Sequence, residues 1–520
     1  MMTYNTYWKG LVLTIALCLM MFCRNSLQAQ NYSNYQEQQG EVVYKIQNPF
    51  YTIELRHKGK VKFSADGTAI ENIEPGGYLK FSKSTFGNKR TIHLIGREGG
   101  YQEKLYFVGK KKEKWHPEGE NYLKSSLEEI FRISGIGADT KVWNLYQKGG
   151  AQSVLQEISK IDNSRVKSLY FSALLGIPQL TSNEINTVCV RIGKELESET
   201  EKGRLFRESA RTFLAGDPTA KTYFFEMAKI ASSNEKAEAL YHILQKHQLS
   251  EKQLLYLFAT IRTIDSSVEK RRVLSGIDRQ KIFNNAQVVN AYFATLKSID
   301  SNFELSQCLQ YLLKVKNQNP QVILGVLSGC QEISSSYEKA RVLKQVIPYL
   351  NTGEQVTNEY FKTVISVSSS HEKGEVLRKF IHSEKLTFQN QLAFYKAVSS
   401  ISSSYEKGSV LREVINRYPA SKIQLAGFFD VVAELTSNVE KGGLLRALSQ
   451  KEKLSEVAIL GILELVPGIS SSLEKAEVLL ALCKHIDMEH KNTLAAYQKA
   501  ASTISSSMEF RRVMDALYKE

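Results

Sequence analysis

One short phrase recurs along most of this chain. Its clearest copies, Ile-Ser-Ser-Ser-Tyr-Glu-Lys, begin at Ile333 and Ile401, and a close variant begins at Ile469. Eleven copies align on the apolar residue that opens them, and successive copies are always 34 or 35 residues apart. A fixed period of this length predicts a repeat array, in which each unit is one supersecondary element stacked on its neighbours. The opening residues are Ile161, Leu196, Ile230, Ile264, Ile299, Ile333, Val367, Ile401, Leu435, Ile469 and Ile504.

Each copy carries the signals of a helix start. A serine follows the opening residue by two positions and a glutamate follows that serine by three, as in Ser335 and Glu338. This spacing predicts a capping box, in which the hydroxyl accepts from the glutamate N–H and the carboxylate reaches back to the cap N–H. Ten of the eleven copies keep the pattern, whereas the first has Asn163 and Val166.

Apolar residues on both sides of the phrase indicate two helices per unit. Val376 and Leu377 follow the cap, with Phe380 three residues later, and Phe361 and Val364 form an upstream face. Small residues after the cap would permit close helix approach. A hairpin of this size cannot bury both faces alone, so the units must stack.

The residues before the array alternate with a period of two. Gly-rich turn signals separate the short alternating runs, which predicts an antiparallel meander of five or six strands with one face packed on the helices. The runs are residues 51–56, 61–63, 78–81, 91–95 and 104–108.

The N-terminus resembles an export signal. Lys9 precedes thirteen almost wholly apolar residues, 11–23, which are followed by a small-residue site at Ala29. Thirteen residues rise about 20 Å as a helix, which is short of the roughly 30 Å hydrocarbon core. We predict a signal peptide cleaved after Ala29, with an uncleaved anchor as the alternative. We therefore expect a periplasmic or secreted protein with no transmembrane segment in the mature chain.

The predicted fold is mainly α: an α-solenoid of about eleven 34-residue helical hairpins preceded by a small antiparallel β domain. Hydrophobic residues make up 42% of the chain, which excludes disordered and collagen-like classes. The predicted order is a signal peptide over 1–29, a linker over 30–40, the β domain over 41–117 and the solenoid over 118–520.

Four cysteines follow the predicted signal peptide, all in apolar, helical contexts: Cys189, Cys308, Cys330 and Cys483. We interpret them as buried free thiols, with a Cys308–Cys330 bridge as the alternative.

Two resemblances add to this picture. The 34-residue length and the Tyr-Glu-Lys-Ala that begins at Tyr337 resemble tetratricopeptide repeats over about residues 150–520, although that family's Trp-Leu-Gly-Tyr pattern is missing. The array is therefore tetratricopeptide-like or HEAT-like.

A second resemblance covers residues 70–175. The segments that begin at Pro75, Ile133, Gln147 and Val154, together with Trp115, are similar to uncharacterised bacterial envelope proteins. Some relatives of that kind follow membrane metallopeptidase domains of the antirepressor type. The peptidase part is absent from this sequence, so no catalytic residue carries over.

No motif predicts an enzyme, a cofactor or a metal site. The string from His371 to Glu375 lies on the repeat phrase and lacks the second histidine of a zinc protease motif. There is no Gly-rich phosphate loop and no Gly-x-Ser-x-Gly. A second string contains four metal-capable residues, which we interpret as an ordinary polar turn rather than a metal site: Cys483, His485, Asp487 and His490.

Lysines are the candidate binding residues. Lys362, Lys396 and Lys499 share the position five before the opening residue, which Asp430 and Glu464 also occupy. On the predicted first helix of each unit, this position is our candidate ligand surface. A separate recurrent lysine follows the capping glutamate, either as a basic ladder or as a solvated first-turn residue that pairs with a neighbouring unit's glutamate: Lys202, Lys236, Lys270, Lys339, Lys373, Lys407, Lys441 and Lys475.

The predicted β domain has its own basic cluster, Lys110, Lys111 and Lys112, with Lys114 beside Trp115. The chain carries 68 basic and 54 acidic residues, a net charge of +14, which favours anionic partners. Removing residues 1–29 would leave +12. Export makes nucleic acid an unfavoured partner.

We predict a non-enzymatic secreted or envelope interaction protein that binds a protein or peptide through the helical-repeat surface. The alternative is a binder of an anionic polymer, a glycan or lipid headgroup, through the basic β domain.

Overall fold

The structure is a computed structural model that describes residues 32–100, 102–277, 285–314, 319–383 and 386–518. The predicted signal peptide and its cleavage after Ala29 lie outside these residues. The described chain is mainly helical, with 24 α-helices preceded by an antiparallel sheet, as the sequence predicted. It separates into two compact units between Ala239 and Leu240. The first unit contains the strands and three copies of the repeat phrase, and the second contains the other eight.

Seven strands form the main sheet, and two short strands form a separate pair. The strands are β1 Tyr32–Gln38, β2 Glu41–Gln47, β3 Tyr51–Lys58, β4 Val61–Phe63, β5 Ile70–Ile73, β6 Tyr78–Thr85, β7 Asn88–Gly96, β8 Gln102–Val108 and β9 Lys111–Glu113. The main sheet runs β1-β2-β3-β6-β7-β8-β9, with every neighbour antiparallel, and β4 pairs with β5.

The register of the sheet aligns one buried row across its strands. Leu55 lies opposite Phe81, which lies opposite Ile92, and all three are fully buried. Alternate residues of a strand point to the same face, so this register collects the apolar side chains on one side. Ile130 and Phe131 of the first helix belong to the same core cluster. The predicted packing of one sheet face on a following helix is therefore present.

Strand β1 corrects the interpretation of residues 30–40 as a linker. It pairs with β2 along its whole length, and Tyr35 lies opposite Tyr44. Gln39 and Gly40 connect the two strands, and both have positive φ, which is typical of a type I′ hairpin turn. The strand is polar because it lies at the edge of the sheet, and its composition therefore concealed it. The other predicted domain limits stay predictions.

The helices follow the sheet as successive hairpins. Their bounds are α1 Glu120–Ser134, α2 Ala138–Ile158, α3 Ser164–Leu175, α4 Ser182–Glu195, α5 Glu199–Glu208, α6 Ala210–Phe213, α7 Asp217–Ala228, α8 Ser233–Lys246, α9 Glu251–Ile261, α10 Ser267–Leu274, α11 Ala286–Leu296, α12 Asn302–Lys314, α13 Pro320–Gln331, α14 Ser336–Val346, α15 Glu354–Ile365, α16 Ser370–His382, α17 Phe388–Ser399, α18 Ser404–Arg417, α19 Leu425–Ala433, α20 Asn438–Ser449, α21 Glu456–Leu465, α22 Ser472–Leu482, α23 Lys491–Ala501 and α24 Ser507–Leu517.

The repeat phrase starts the second helix of each hairpin, which we call the capped helix. The hydroxyl of the middle serine accepts from the backbone N–H of the glutamate three residues later at 3.3–3.4 Å in ten copies. Asn163 caps the first copy. All eleven opening residues are buried.

In the second unit the hairpins form two layers. The capped helices α10, α12, α14, α16, α18, α20, α22 and α24 pack each on the next, and the intervening helices from α9 to α23 do the same. The order of the repeats along the sequence is therefore also their order in space.

Candidate functional site

The serines of the phrase have different structural tasks. The middle serine caps its own helix, and the serine after it serves the next repeat: Ser370 Oγ accepts from the backbone N–H of Ser403 at 3.3 Å. Ser370 Oγ also lies 2.9 Å from Ser402 Oγ, on the first serine of that next phrase. Ser336 accepts in the same way from the N–H of Ser369 at 3.1 Å. A run of hydroxyls therefore joins successive repeats along the edge where the capped helices begin.

The glutamate of the phrase does not complete the predicted capping box. In four copies its carboxylate pairs with an arginine of the preceding repeat: Glu406 Oε2 accepts from Arg378 at 2.9 Å, and Glu440 accepts from Arg412 at 2.6 Å. In others it pairs with an arginine of its own helix, as Glu338 does with Arg341 at 3.1 Å. Burial by itself raises the pKa of Glu406, but hydrogen bonds from His371 and Arg378 outweigh burial and leave that pKa below its ordinary value. The capping-box prediction is correct for the serine and wrong for the carboxylate.

The small residue after the glutamate makes room for this contact. A Cβ on Gly408 would lie against the carboxylate of Glu440, and a Cβ on Gly442 would lie against that of Glu474. The glutamate of one repeat therefore occupies space left by the small residue of the repeat before it. The sequence predicted close approach at this position, but not which group approaches.

The lysine that follows the glutamate points inward. Lys373 Nζ donates to the backbone O and the Oγ of Ser400, both at 3.0 Å, and Lys475 Nζ donates to Thr503 O at 2.8 Å. These acceptors lie just after a helix of the next repeat, where carbonyls lack intrahelical partners. Pairing with a neighbouring unit's glutamate does occur at Lys407, whose Nζ lies 2.8 Å from Glu434. The exposure that both sequence alternatives assumed is wrong, because these residues are only 4–8% exposed: Lys202, Lys236, Lys270, Lys339, Lys373, Lys407, Lys441 and Lys475.

The predicted lysine column lies on the other helix layer, at exposed positions. Lys362 is exposed and forms an ion pair with Glu359 at 3.0 Å, and Lys396 and Lys499 are exposed as well. Asp430 and Glu464 of the same column are also exposed. The column is therefore mixed in charge, and ligand binding there stays a prediction.

The second predicted cluster lies at the β8–β9 hairpin. Lys110, Lys111 and Lys112 are exposed, and Lys111 forms an ion pair with Glu113 at 2.9 Å. Lys104 Nζ lies 5.9 Å from the ring centre of Trp115. Binding of an anionic polymer at this hairpin also stays a prediction.

The metal-capable string has other partners. His485 Nε2 lies 2.9 Å from the backbone O of Ser449, and Asp487 Oδ1 accepts from the N–H of Glu489 at 2.9 Å. In the described part of the chain, no cluster of three or more such side chains could hold a metal ion.

The four cysteines are buried free thiols, so the Cys308–Cys330 bridge is wrong. Burial raises the pKa of both thiols to about 12, which disfavours their reactive thiolate form.

One surface emerged that the sequence had not singled out. In each phrase one residue lies between the serines and the glutamate, as Tyr405 does, and in the second unit this residue is apolar in seven of eight copies. These seven are 50–72% exposed, and the eighth, His371, has a side chain 67% exposed. We call this set the apolar edge: Val268, Phe303, Tyr337, His371, Tyr405, Val439, Leu473 and Met508.

The first unit has polar residues at the same position: Arg165, Thr200 and Asn234, all exposed. The apolar edge is therefore confined to the second unit. The sequence contained evidence for this edge. The residue at this position of the phrase varies from copy to copy in the second unit, yet it is apolar in seven of eight copies.

Comparisons with known proteins do not assign this chain to a family. No protein-family model matches it, and no curated protein matches it. A solved structure described as the crystal structure of the Chs5-Bch1 exomer cargo adaptor complex matches 86% of this chain and 84% of the other, at 8% sequence identity and a TM-score of 0.16. Agreement that weak carries no argument about fold or partners. Among the described residues, no helix has the length and apolarity needed to cross a membrane.

Proposed function

We propose that this protein is a non-enzymatic interaction scaffold that docks a protein partner along the apolar edge. Its N-terminal segment supports export, so we place the partner in the periplasm or outside the cell. The supporting observation is a row of eight exposed side chains, seven of them apolar, at one repeated position of the second unit.

The internal contacts of the array do not need this row. Serine hydroxyls, the glutamate, the small residue and the buried lysine already join each repeat to the next. Among the edge residues, His371 adds a contact to Glu406 of the next repeat, whereas the seven apolar ones are 50–72% exposed. Exposed apolar surface that is contiguous and repeated marks an interaction site more often than isolated apolar residues do. Aromatic members such as Tyr337 and Tyr405 are of the type that dominates binding energy at interfaces.

Site-specific photo-cross-linking tests the proposal. A photoreactive residue replaces Tyr337, Tyr405 or Val439 in the protein as the cell produces it. The same residue at Lys362, Lys396 or Asp430 provides the control, since these positions are exposed on the other helix layer. We expect discrete protein adducts from the first set and few from the second. Adducts from the lysine column alone, or from neither set, would contradict the proposal.

The exposed lysines of the β8–β9 hairpin favour a second candidate function, binding of an anionic glycan or lipid headgroup. Lys110, Lys111 and Lys112 lie together at the tip, which gives an electrostatic footprint without a pocket. Affinity for such a polymer should fall steeply as salt increases. Neutralising these three lysines and Lys114 should abolish binding to anionic vesicles or glycans, and unchanged binding would exclude this candidate.

A further inference from the structure

We propose that the partner on the apolar edge is a second copy of this chain, docked antiparallel about a two-fold axis between His371 and Tyr405. This inference rests on the proposed function, since it names the occupant of the same surface. It follows from the order, area and charge of the edge residues.

When two copies of the edge run in opposite directions, the side chains of one copy are complementary in size to those of the other. Neighbouring helices pack roughly 8–10 Å apart, so the edge residues recur at about that spacing in both copies. Antiparallel pairing about the stated axis then brings each aromatic residue to an aliphatic one or to histidine. The pairs are Val268 with Met508, Phe303 with Leu473, Tyr337 with Val439, and His371 with Tyr405, and each occurs twice.

Parallel pairing would place each residue against itself. Tyr337 would then face Tyr337, and the two large rings would be crowded. Val439 would face Val439, and the two small side chains would leave a gap. An interface related by a two-fold axis must be self-complementary, and the reversed order satisfies that condition.

The exposed area of the edge matches what a stable dimer needs. An aromatic side chain can bury roughly 150–250 Å², and the apolar edge residues are 50–72% exposed. On the order of 100 Å² per residue then gives about 800 Å² for eight residues, close to the share of one partner in a standard interface.

The charge of the edge also permits a second copy to approach. The whole chain carries +14, which would oppose association between basic surfaces. The edge itself holds no lysine, arginine or carboxylate, and His371 lies 3.1 Å from Glu406. Arginines pair with seven of the eight glutamates next to the edge: Arg272–Glu269, Arg271–Glu304, Arg341–Glu338, Arg378–Glu406, Arg412–Glu440, Arg446–Glu474 and Arg512–Glu509. Because the edge residues themselves carry no lysine, arginine or carboxylate, two such edges can meet with little like-charge repulsion.

Sedimentation of the full-length gene product, purified as the cell processes it, tests association. We expect a reversible monomer–dimer equilibrium, with Tyr405→Glu raising the dissociation constant at least tenfold. Leu392→Glu is the matched control, because Leu392 is 65% exposed on α17 and Tyr405 is 66% exposed. The control should change the constant less than twofold. A monomer at all concentrations, or equal effects of both variants, would overturn the proposal.

Cross-linking tests the orientation. Tyr337→Cys and Val439→Cys proteins are prepared separately and treated with a short bismaleimide, alone and mixed. In the antiparallel dimer, residue 337 of one copy lies beside residue 439 of the other. The two copies of residue 337 are then about 30 Å apart, because three helix spacings separate them. We expect cross-linked dimer only in the mixture. Cross-linking in either protein alone would contradict the antiparallel order.

The two proposals fail in distinguishable ways. If the protein sediments as a monomer while photo-cross-linking at residue 405 captures a different protein, the second copy is excluded and the docking function stands. If neither dimer nor adduct forms, the edge is not an interface and both are wrong.

Discussion

The first and second units share one repeat phrase but differ at the exposed position that forms the apolar edge in the second unit. Both keep the serine cap, the inward lysine and the small residue that receives the next glutamate. The edge position holds Arg165, Thr200 or Asn234 in the first unit and is mainly apolar in the second. Stacking therefore explains the constant positions, and another requirement must explain the apolar edge.

The substitutions with the largest expected effect test whether the repeats stack in the same way in both units. Gly203→Val and Gly442→Val should each lower the free energy of unfolding by about 1–3 kcal/mol, because the added bulk displaces the glutamate of the next repeat. Urea unfolding followed by circular dichroism measures both.

The adjacent Gly443 is the control, since a Cβ there would meet open space. Gly443→Ala should raise the free energy of unfolding by about 0.5–1 kcal/mol. Sensitivity of only one unit to valine would show that the two units stack by different rules.

The inward lysine offers a second test. Lys373→Ala should cost about 1–2 kcal/mol of unfolding free energy, because the carbonyl of Ser400 loses its donor and the buried stem leaves a gap. Lys396→Ala, on the exposed column, should change it by less than about 0.5 kcal/mol. Equal effects in chemical denaturation would contradict the distinction between inward and outward lysines.

Stability at alkaline pH should also distinguish the inward lysines from the exposed ones. Burial lowers the pKa of Lys339, Lys373, Lys441 and Lys475 below the ordinary lysine value of 10.5. In the window just below pH 10.5 the unfolded chain binds more protons at these sites, so their contribution to stability rises with pH. The unfolding free energy of the wild type minus that of Lys373→Met should therefore grow as the pH rises toward 10.5. A constant or shrinking difference in urea titrations would contradict this linkage.

The smallest effect is expected at the edge position itself. Thr200→Tyr gives the first unit the residue that the second unit has at Tyr405, and it should change the unfolding free energy by no more than about 0.5 kcal/mol. A gain above about 1 kcal/mol would mean that an apolar residue here supports stacking.

The sequence predicted the elements whose determinants are local. The opening residues, the serine caps and the two helices per repeat depend on a few neighbouring residues, and the structure contains them all. The sheet followed from alternation only in part. The five predicted runs match β3, β4, β6, β7 and β8, whereas β1, β2, β5 and β9 were not among them; the polar composition of β1 reflects its edge position.

The sequence could not predict contacts between repeats. Whether Lys373 faces water or the end of the next helix depends on residues 27 positions away. The same holds for Glu406, whose carboxylate leaves its own cap for Arg378 of the preceding repeat. The apolar edge was missed for a related reason, because exposure of one residue is decided by how two repeats stack.

The most direct test of the central claim is the unfolding free energy of a triple variant, Tyr337→Ser, Tyr405→Ser and Val439→Ser, measured in dilute solution where copies do not associate. If the apolar edge serves binding rather than stacking, the variant should stay within about 1.5 kcal/mol of the wild type, as expected for three exposed substitutions. A loss of more than about 3 kcal/mol would show that these side chains hold the repeats together, and would contradict the account.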